Sequence, residues 1–291
     1  MVVQDVVFGL VLGSYVAVAA VGFTLVYGLV NMINFAHGEY VTVGAFVGFG
    51  FAETLGLPTV AAVPATVVVS AVAGWAIAMA VFRPIGDTGP IPLLLTSIGL
   101  GLVMRNGIRL ITGPKPRRFA LGSTSVYRFE SLDVFVTSQH VFVIGVAVAS
   151  FLTMHVLLQY TKLGTALRAM SDNEDLALVT GIDTARMRTV VWLLSSGLAG
   201  LAGYLLAVQR AATPTVGFDQ LLLVITAAIL GGAGSVYGAI MGSYLLGVTI
   251  SLTVGLLPSW ATQLGTTMAF VVLVAVLLVR PGGIAGAEVR A

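Results

Sequence analysis

The sequence predicts an all-α membrane protein: a polytopic bundle of transmembrane helices with about eight or nine spans and one short helix outside the bilayer. Three observations carry this. The chain is 58% hydrophobic and only 9% charged over 291 residues. Residues 6–30, 54–82, 134–161, 189–209 and 220–279 contain no Asp, Glu, Lys or Arg. A hydrocarbon core of about 30 Å needs roughly 20 apolar residues per helical crossing, so each run crosses at least once. The runs are continuous rather than alternating over about ten residues, which excludes a β-barrel. The 35 glycines would weaken soluble helices, but membrane helices use small residues to pack closely.

Taken in order, Met1–Asp5 carry an acid and no Lys or Arg, and the apolar run behind them reads as a retained first span rather than a cleaved signal. Charge punctuation and Gly/Pro breaks place spans near 6–30, 40–56, 59–82, 90–111, 140–158, 189–209, 220–233, 236–256 and 261–279. Gly231, Gly232 and Gly234 interrupt the seventh after a short apolar stretch, fitting either a half-helix and break or a tight turn and close helix crossing. Gly9-x-x-x-Gly13-Ser14-Tyr15 and Gly238-x-x-x-Gly242-Ser243-Tyr244 echo each other, as a repeat or by coincidence. Residues 112–139 read as a surface loop with a short ordered element. All of this forms one transmembrane domain, 1–291, which includes the polar segment 159–188.

That segment is the anomaly in so apolar a chain. Ser171-Asp172-Asn173-Glu174 has capping-box spacing and predicts a helix start. Asp172, Glu174 and Asp175 then fall in the first turn, where the helix dipole favours acids. Leu176, Leu178 and Val179 give an apolar patch, and Gly181 suits the left-handed stop. The product is a helix of about nine residues, too short to be stable alone. Asp183 caps the next helix. Held between two spans, such a helix suits docking of a soluble partner; a solvated hairpin without a partner is the other reading.

Chemistry is scarce. The net charge of +2 gives no argument for nucleic acid, and the absence of cysteine removes thiol catalysis and cysteine-ligated metals. There is no Gly-x-x-x-x-Gly-Lys-Ser/Thr phosphate loop and no His-Glu-x-x-His site, so an enzyme, a metal and a cofactor are not expected. Lys and Arg divide seven to each side of the proposed spans, and the positive-inside rule does not decide orientation.

Asn31, Asn34, His37 and Glu39 form a polar connection between two spans, either an interfacial turn or the lining of a polar cavity. Arg105 and Arg109 share a helix face and are expected to snorkel to the interface, the alternative being to attract a zwitterion's carboxylate. His140 and His155 read as locally hydrogen-bonded. Every acid lies near an expected span end, which disfavours the rival class, a secondary transporter or channel that works without ATP.

The segment LGTALRAMSDNEDLALVTGIDTARMRTVVWLLSSGLAGLAGYLLA resembles the cytoplasmic coupling region and following helix of ABC-importer permeases for branched-chain amino acids, through Arg168-Ala169, Ala177, Gly181-Ile182 and Ala199-Gly200-Leu201-Ala202-Gly203. YGLVNMINFAHGEYVTVGAF (27–46), with Asn34-Phe35-Ala36-His37-Gly38-Glu39, AAILGGAGSVYGAIMGSYLLG (227–247) and RPGGI (280–284) are similar to further signatures of that family. The likeness spans the chain except residues 112–139. It implies a second permease subunit, two cytoplasmic ATPases, an external binding protein, a multi-pass location in a bacterial or archaeal cell membrane, and segment 159–188 on the cytoplasmic side. It also implies a transport-linked role for the Asn34–Glu39 signature, and a substrate such as Leu, Ile, Val or a related small zwitterion or amide like urea.

Overall fold

Each of the nine apolar segments forms a helix in the computed structural model, which describes residues 2–86, 88–119, 125–129, 134–258, 262 and 264–285. The helices are α1 (Val2–Val30), α2 (His37–Phe49, continued by a π-helical turn, Gly50–Thr54), α3 (Thr59–Ile85), α4 (Pro90–Thr112), α5 (Ser138–Tyr160), α6 (Lys162–Asp172), α7 (Glu174–Val179), α8 (Thr184–Gln209), α9 (Val216–Gly231), α10 (Val236–Leu256) and α11 (Leu264–Val279). Six of these, α1, α3, α4, α5, α8 and α10, are long and apolar enough to cross a membrane, while α9 and α11 have 16 residues each. Residues 261 and 263, at the head of the last expected span, lie outside the described residues, as do 120–124 and 130–133 of the central loop. The ordered element in that loop is an antiparallel hairpin, β1 (Val126–Phe129) with β2 (Val134–Thr137), registered Val126 to Thr137.

Burial sorts the helices. α1 and α8 are enclosed along most of their length, whereas α4 and α5 show apolar side chains such as Val103, Leu110 and Leu152 on their outer faces, as lipid contact requires. Glycine lets the inner helices touch. A Cβ on Gly203 of α8 would run into the Val41 carbonyl of α2, and one on Gly44 would run into the backbone of Gly200. The two echoing Gly-x-x-x-Gly faces do different jobs: Gly9 and Gly13 of α1 lie on Val248 and Tyr244 of α10, while Gly238 and Gly242 of α10 lie on Gly231 and Ala227 of α9. Gly232 (φ +106°) and Gly234 (φ +91°) turn the chain between α9 and α10, so a short helix, a break and a second helix are present together with a tight turn and a close crossing of Gly231 on Gly238. α9 itself starts at Val216, four residues before the expected 220.

Two breaks define the centre. α1 ends beside the α6 end: the Ser171 hydroxyl donates to the Gly28 carbonyl at 3.1 Å. After Asn31, a non-glycine at φ +51°, residues 31–36 run back beside α1, and the ring of His37 bonds the Ala19 carbonyl at 2.9 Å. Ala19 lies eleven residues before Val30. At a rise of about 1.5 Å per residue, that is about 16 Å along the helix axis. The start of α2 is therefore inside the bundle. α8 runs from Thr184, next to α7, to Gln209 at the opposite end of the bundle; residues 210–215 then return inward, held to Arg117 by paired backbone bonds through Ala212 (2.9 and 2.8 Å). The Gly217 N–H donates to the Thr42 hydroxyl at 3.1 Å, and Gly217 packs against Gly38. α2 and α9 thus begin against each other in the interior, with their non-helical leads coming from opposite ends of the bundle.

Candidate functional site: a buried helix junction and a capped hairpin

The junction is built from the Asn34–Glu39 segment. Asn34 is buried and its Oδ1 accepts the Ala36 N–H at 3.0 Å, closing a turn that frees the chain to enter α2. The Phe35 N–H donates to the Ser97 hydroxyl of α4 at 3.0 Å, giving the extended lead a partner that no helix supplies. A carbonyl only accepts, so His37 Nε2 carries the proton in its bond to Ala19 and Nδ1 is left as an acceptor in the neutral ring. Asn31 is exposed at the mouth of the break, Gly38 is buried under Gly217, and Glu39 is only 1% exposed. Asn34, His37 and Glu39 are all buried, and the bond from His37 to Ala19 sets this connection inside the bundle and away from the end of α1.

Glu39 is not alone. Arg105 donates to its Oε1 through Nε (2.9 Å) and Nη2 (2.7 Å), and the guanidinium carbon lies 3.6 Å above the ring centre of Phe218 on α9. This corrects the expectation that Arg105 snorkels to the interface: a guanidinium that stacks on an aromatic face and meets a buried carboxylate is held inward. Arg109, one turn on, is exposed. The expectation that every acid lies at a span end also changes meaning, since the end of α2 that carries Glu39 is in the interior. Charged groups there are costly unless paired, and the Arg105 pair meets that need.

The second site is the hairpin α6–α7. Thr161 caps α6 through the Gly164 N–H, and the buried Leu167 and Met170 pin the helix to the bundle. Leu163, Leu167 and Met170 at i, i+4 and i+7 behind the Thr161 cap are the sequence signal for this helix, and it absorbs Ser171 and Asp172 into its last turn. The expected capping box at Ser171 is therefore incorrect. The N-cap is Asn173, whose Oδ1 accepts the Leu176 N–H at 2.9 Å, and α7 has six residues where the sequence suggests a longer helix. Asn173 is extended (φ −161°, ψ 107°), serving both as the end of α6 and the cap of α7. The stop is as expected: Gly181 has φ +90°, its N–H donates to Leu178, and the Ile182 N–H donates to Ala177, the paired bonds of a Schellman turn. Asp183 caps α8 through the Arg186 N–H at 2.9 Å.

The remaining candidate residues divide cleanly. Arg168 turns back to the Leu158 carbonyl at 2.7 Å, and Ala169 accepts the Asn173 N–H, so both hold α6 in place. Glu174 pairs with Arg188 of α8 at 2.7 Å, while Asp172 and Asp175 face solvent. Ala177 is buried, but Leu176, Leu178 and Val179 are exposed, Val179 by 84%. Gly231 and Gly232 are buried at the α9–α10 turn, next to a backbone bond from Ile284 to Leu230. A cavity of about 720 Å³ opens between the hairpin and α3–α4, lined by Asn31, Phe82, Arg83, Glu174, Arg188 and Trp192. His155 bonds the Tyr237 hydroxyl at 2.7 Å, and His140 closes a capping box with Thr137, the local roles expected of both.

A bundle of long apolar helices around two interrupted ones, with a capped helix displayed at one end, defines a multi-pass membrane permease. The chain belongs to the family described as branched-chain amino acid transport system / permease component, whose model matches residues 6–278. It is 31% identical to the high-affinity branched-chain amino acid transport system permease protein LivH of Escherichia coli K12, with 97% of this chain and 95% of that protein covered. It is also 31% identical to the corresponding permease protein BraD of Pseudomonas aeruginosa, with the same coverage. LivM of Salmonella typhimurium, a permease protein of the same kind of system, is 25% identical over 81% of this chain and 60% of its own length.

Proposed function

We propose that the protein is the translocation subunit of an ATP-driven importer for branched-chain amino acids in a bacterial or archaeal cell membrane, working beside a second permease subunit. The substrate reading rests on the names of the relatives that match nearly the whole chain. That LivH and LivM relatives both match supports pairing with a like subunit. The observation that carries the mechanism is the exposed apolar triad Leu176, Leu178 and Val179 on a helix of six residues fixed at both ends. A helix so short is ordered only by its caps and neighbours, so the same contacts that order it tie it to the bundle. A cytoplasmic ATPase binds this triad, and its closure shifts α7 against the cavity beside it. The Glu174–Arg188 pair passes the shift to α8, which packs on α2. Hydrolysis occurs on the ATPase subunits, and an external binding protein delivers the substrate.

The test is to purify the tagged chain with its partners from native membranes and reconstitute the complex in proteoliposomes. The expected result is co-purification of an ATPase and uptake of labelled leucine that requires ATP on the ATPase side. Uptake by the permease alone under an ion gradient would contradict it.

A further inference from the structure

The central junction contains one further acid besides Glu39. Asp219, in the first turn of α9, is exposed beside Phe218 (45% exposed), and it is the only charged residue between Arg210 and Arg280. Its position is fixed by the chain around it. Gly217 bonds Thr42 and packs against Gly38, and the neighbouring His37 meets Ala19. That contact is about 16 Å from the end of α1. It is therefore close to the middle of a hydrocarbon core about 30 Å thick. The Thr215 hydroxyl donates to Asp219 Oδ2 at 3.1 Å, and the carboxylate is within electrostatic reach of Glu39. An ionised carboxylate at that depth cannot face lipid cheaply, so the face that carries it adjoins a polar path or a polar partner.

Arg105 shares this face. Its Nε and Nη2 serve Glu39 and its plane is fixed by Phe218, yet its side chain remains 21% exposed. A guanidinium has five N–H groups, and binding Glu39 takes only part of that capacity. The result is one cation held flat and one anion beside it, both accessible, on the outer side of the helix junction. An accessible cation and an accessible anion on one face offer partners to both charged ends of an α-amino acid and give nothing comparable to a neutral sugar.

We propose that Arg105 and Asp219 line the translocation path at mid-membrane depth and meet the charged ends of the passing amino acid, its carboxylate at Arg105 and its ammonium at Asp219. Glu39 and Phe218 are positioning residues that hold the guanidinium. This rests on the substrate class proposed above. The apolar side chain of the substrate then passes over Phe218 and Leu222, both exposed on α9.

The chain has no cysteine, so Asp219→Cys places one thiol in this subunit. In the complete reconstituted transporter, a membrane-impermeant cationic thiosulfonate should modify that thiol at least tenfold faster than the thiol of Val103→Cys on the outer face of α4. Leucine under turnover should slow the reaction at least threefold. Modification no faster than at position 103, or unaffected by leucine, overturns the proposal. In parallel, Asp219→Asn and the doubly neutral Glu39→Gln/Arg105→Gln should assemble normally, as judged by the recovered complex, but raise the KM for leucine at least tenfold, with Asp219→Glu restoring most of the loss. Wild-type KM in either neutral variant overturns the proposal while wild-type uptake stands. Absence of any branched-chain amino acid uptake by the unmodified complex instead overturns the substrate reading.

Discussion

The chain stops and restarts helices in two places that look alike in sequence and differ in physics. In the α6–α7 hairpin, Asn173 and Asp183 cap helices with their own side chains and Gly181 ends one in the left-handed region, all within a single short stretch of chain. At the α2–α9 junction the restart is made by partners far away: Ser97 serves Phe35, Ala19 serves His37, Thr42 serves Gly217 and Arg105 serves Glu39. The hairpin is wet, and a missing bond there can be replaced by water. The inner side of the junction is dry, and there the partners of Phe35, His37 and Gly217 come from other helices. One region is therefore held by bonds within its own stretch of chain and the other by bonds between helices.

The largest difference should appear on adding bulk. Gly203→Val puts side-chain atoms where the Val41 carbonyl lies, and a backbone group cannot rotate away. The expected cost is about 3 kcal/mol or more, seen as loss of monodisperse protein in detergent and a lowered unfolding midpoint. The same replacement in the hairpin, at Gly181, meets open space and should leave the bundle folded. Equal tolerance at both positions would erase the distinction between the two regions.

A smaller effect separates two residues within the hairpin. Asn173→Ala removes the side-chain cap of α7 at a cost of about 0.5–2 kcal/mol, while Ser171→Ala removes one exposed bond to Gly28 and should cost less. Hydrogen exchange of the Leu176 amide reports this directly: it should speed up in the first variant and change little in the second. The reverse order would restore Ser171 as the cap.

The same contrast explains what is legible in the sequence. Helix caps and glycine stops act over three or four residues, so Asp183, Gly181 and the acids of α7 can be read in the chain itself. Ser171 misleads because its capping-box spacing competes with an amphipathic helix from Lys162, whose own signals, the Thr161 cap and Leu163, Leu167 and Met170 at helical spacing, carry that helix through Ser171. Long apolar runs reveal the bundle, because a bilayer demands them whatever their neighbours. The junction is legible only as a polar cluster. That Glu39 meets Arg105, 66 residues later, depends on α4 crossing α2 at one height. A signal does exist for Asp219: one acid at the head of a long run free of charge is an expensive choice unless it has a task.

In the coupling proposed above, work enters at α7 and is delivered to a junction that keeps its register, and Gly181→Val separates these two events. A β-branched residue at φ +90° strains the stop that fixes α7 and touches nothing in the membrane. The strain amounts to roughly 1–3 kcal/mol. The measurement is leucine uptake and substrate-stimulated ATP hydrolysis in proteoliposomes containing equal amounts of assembled permease. The variant should insert and pair as before while ATPase docking weakens and both rates fall at least tenfold. Normal docking with uptake at the unmodified rate would contradict this coupling and leave residues 171–183 a surface hairpin without a role in it.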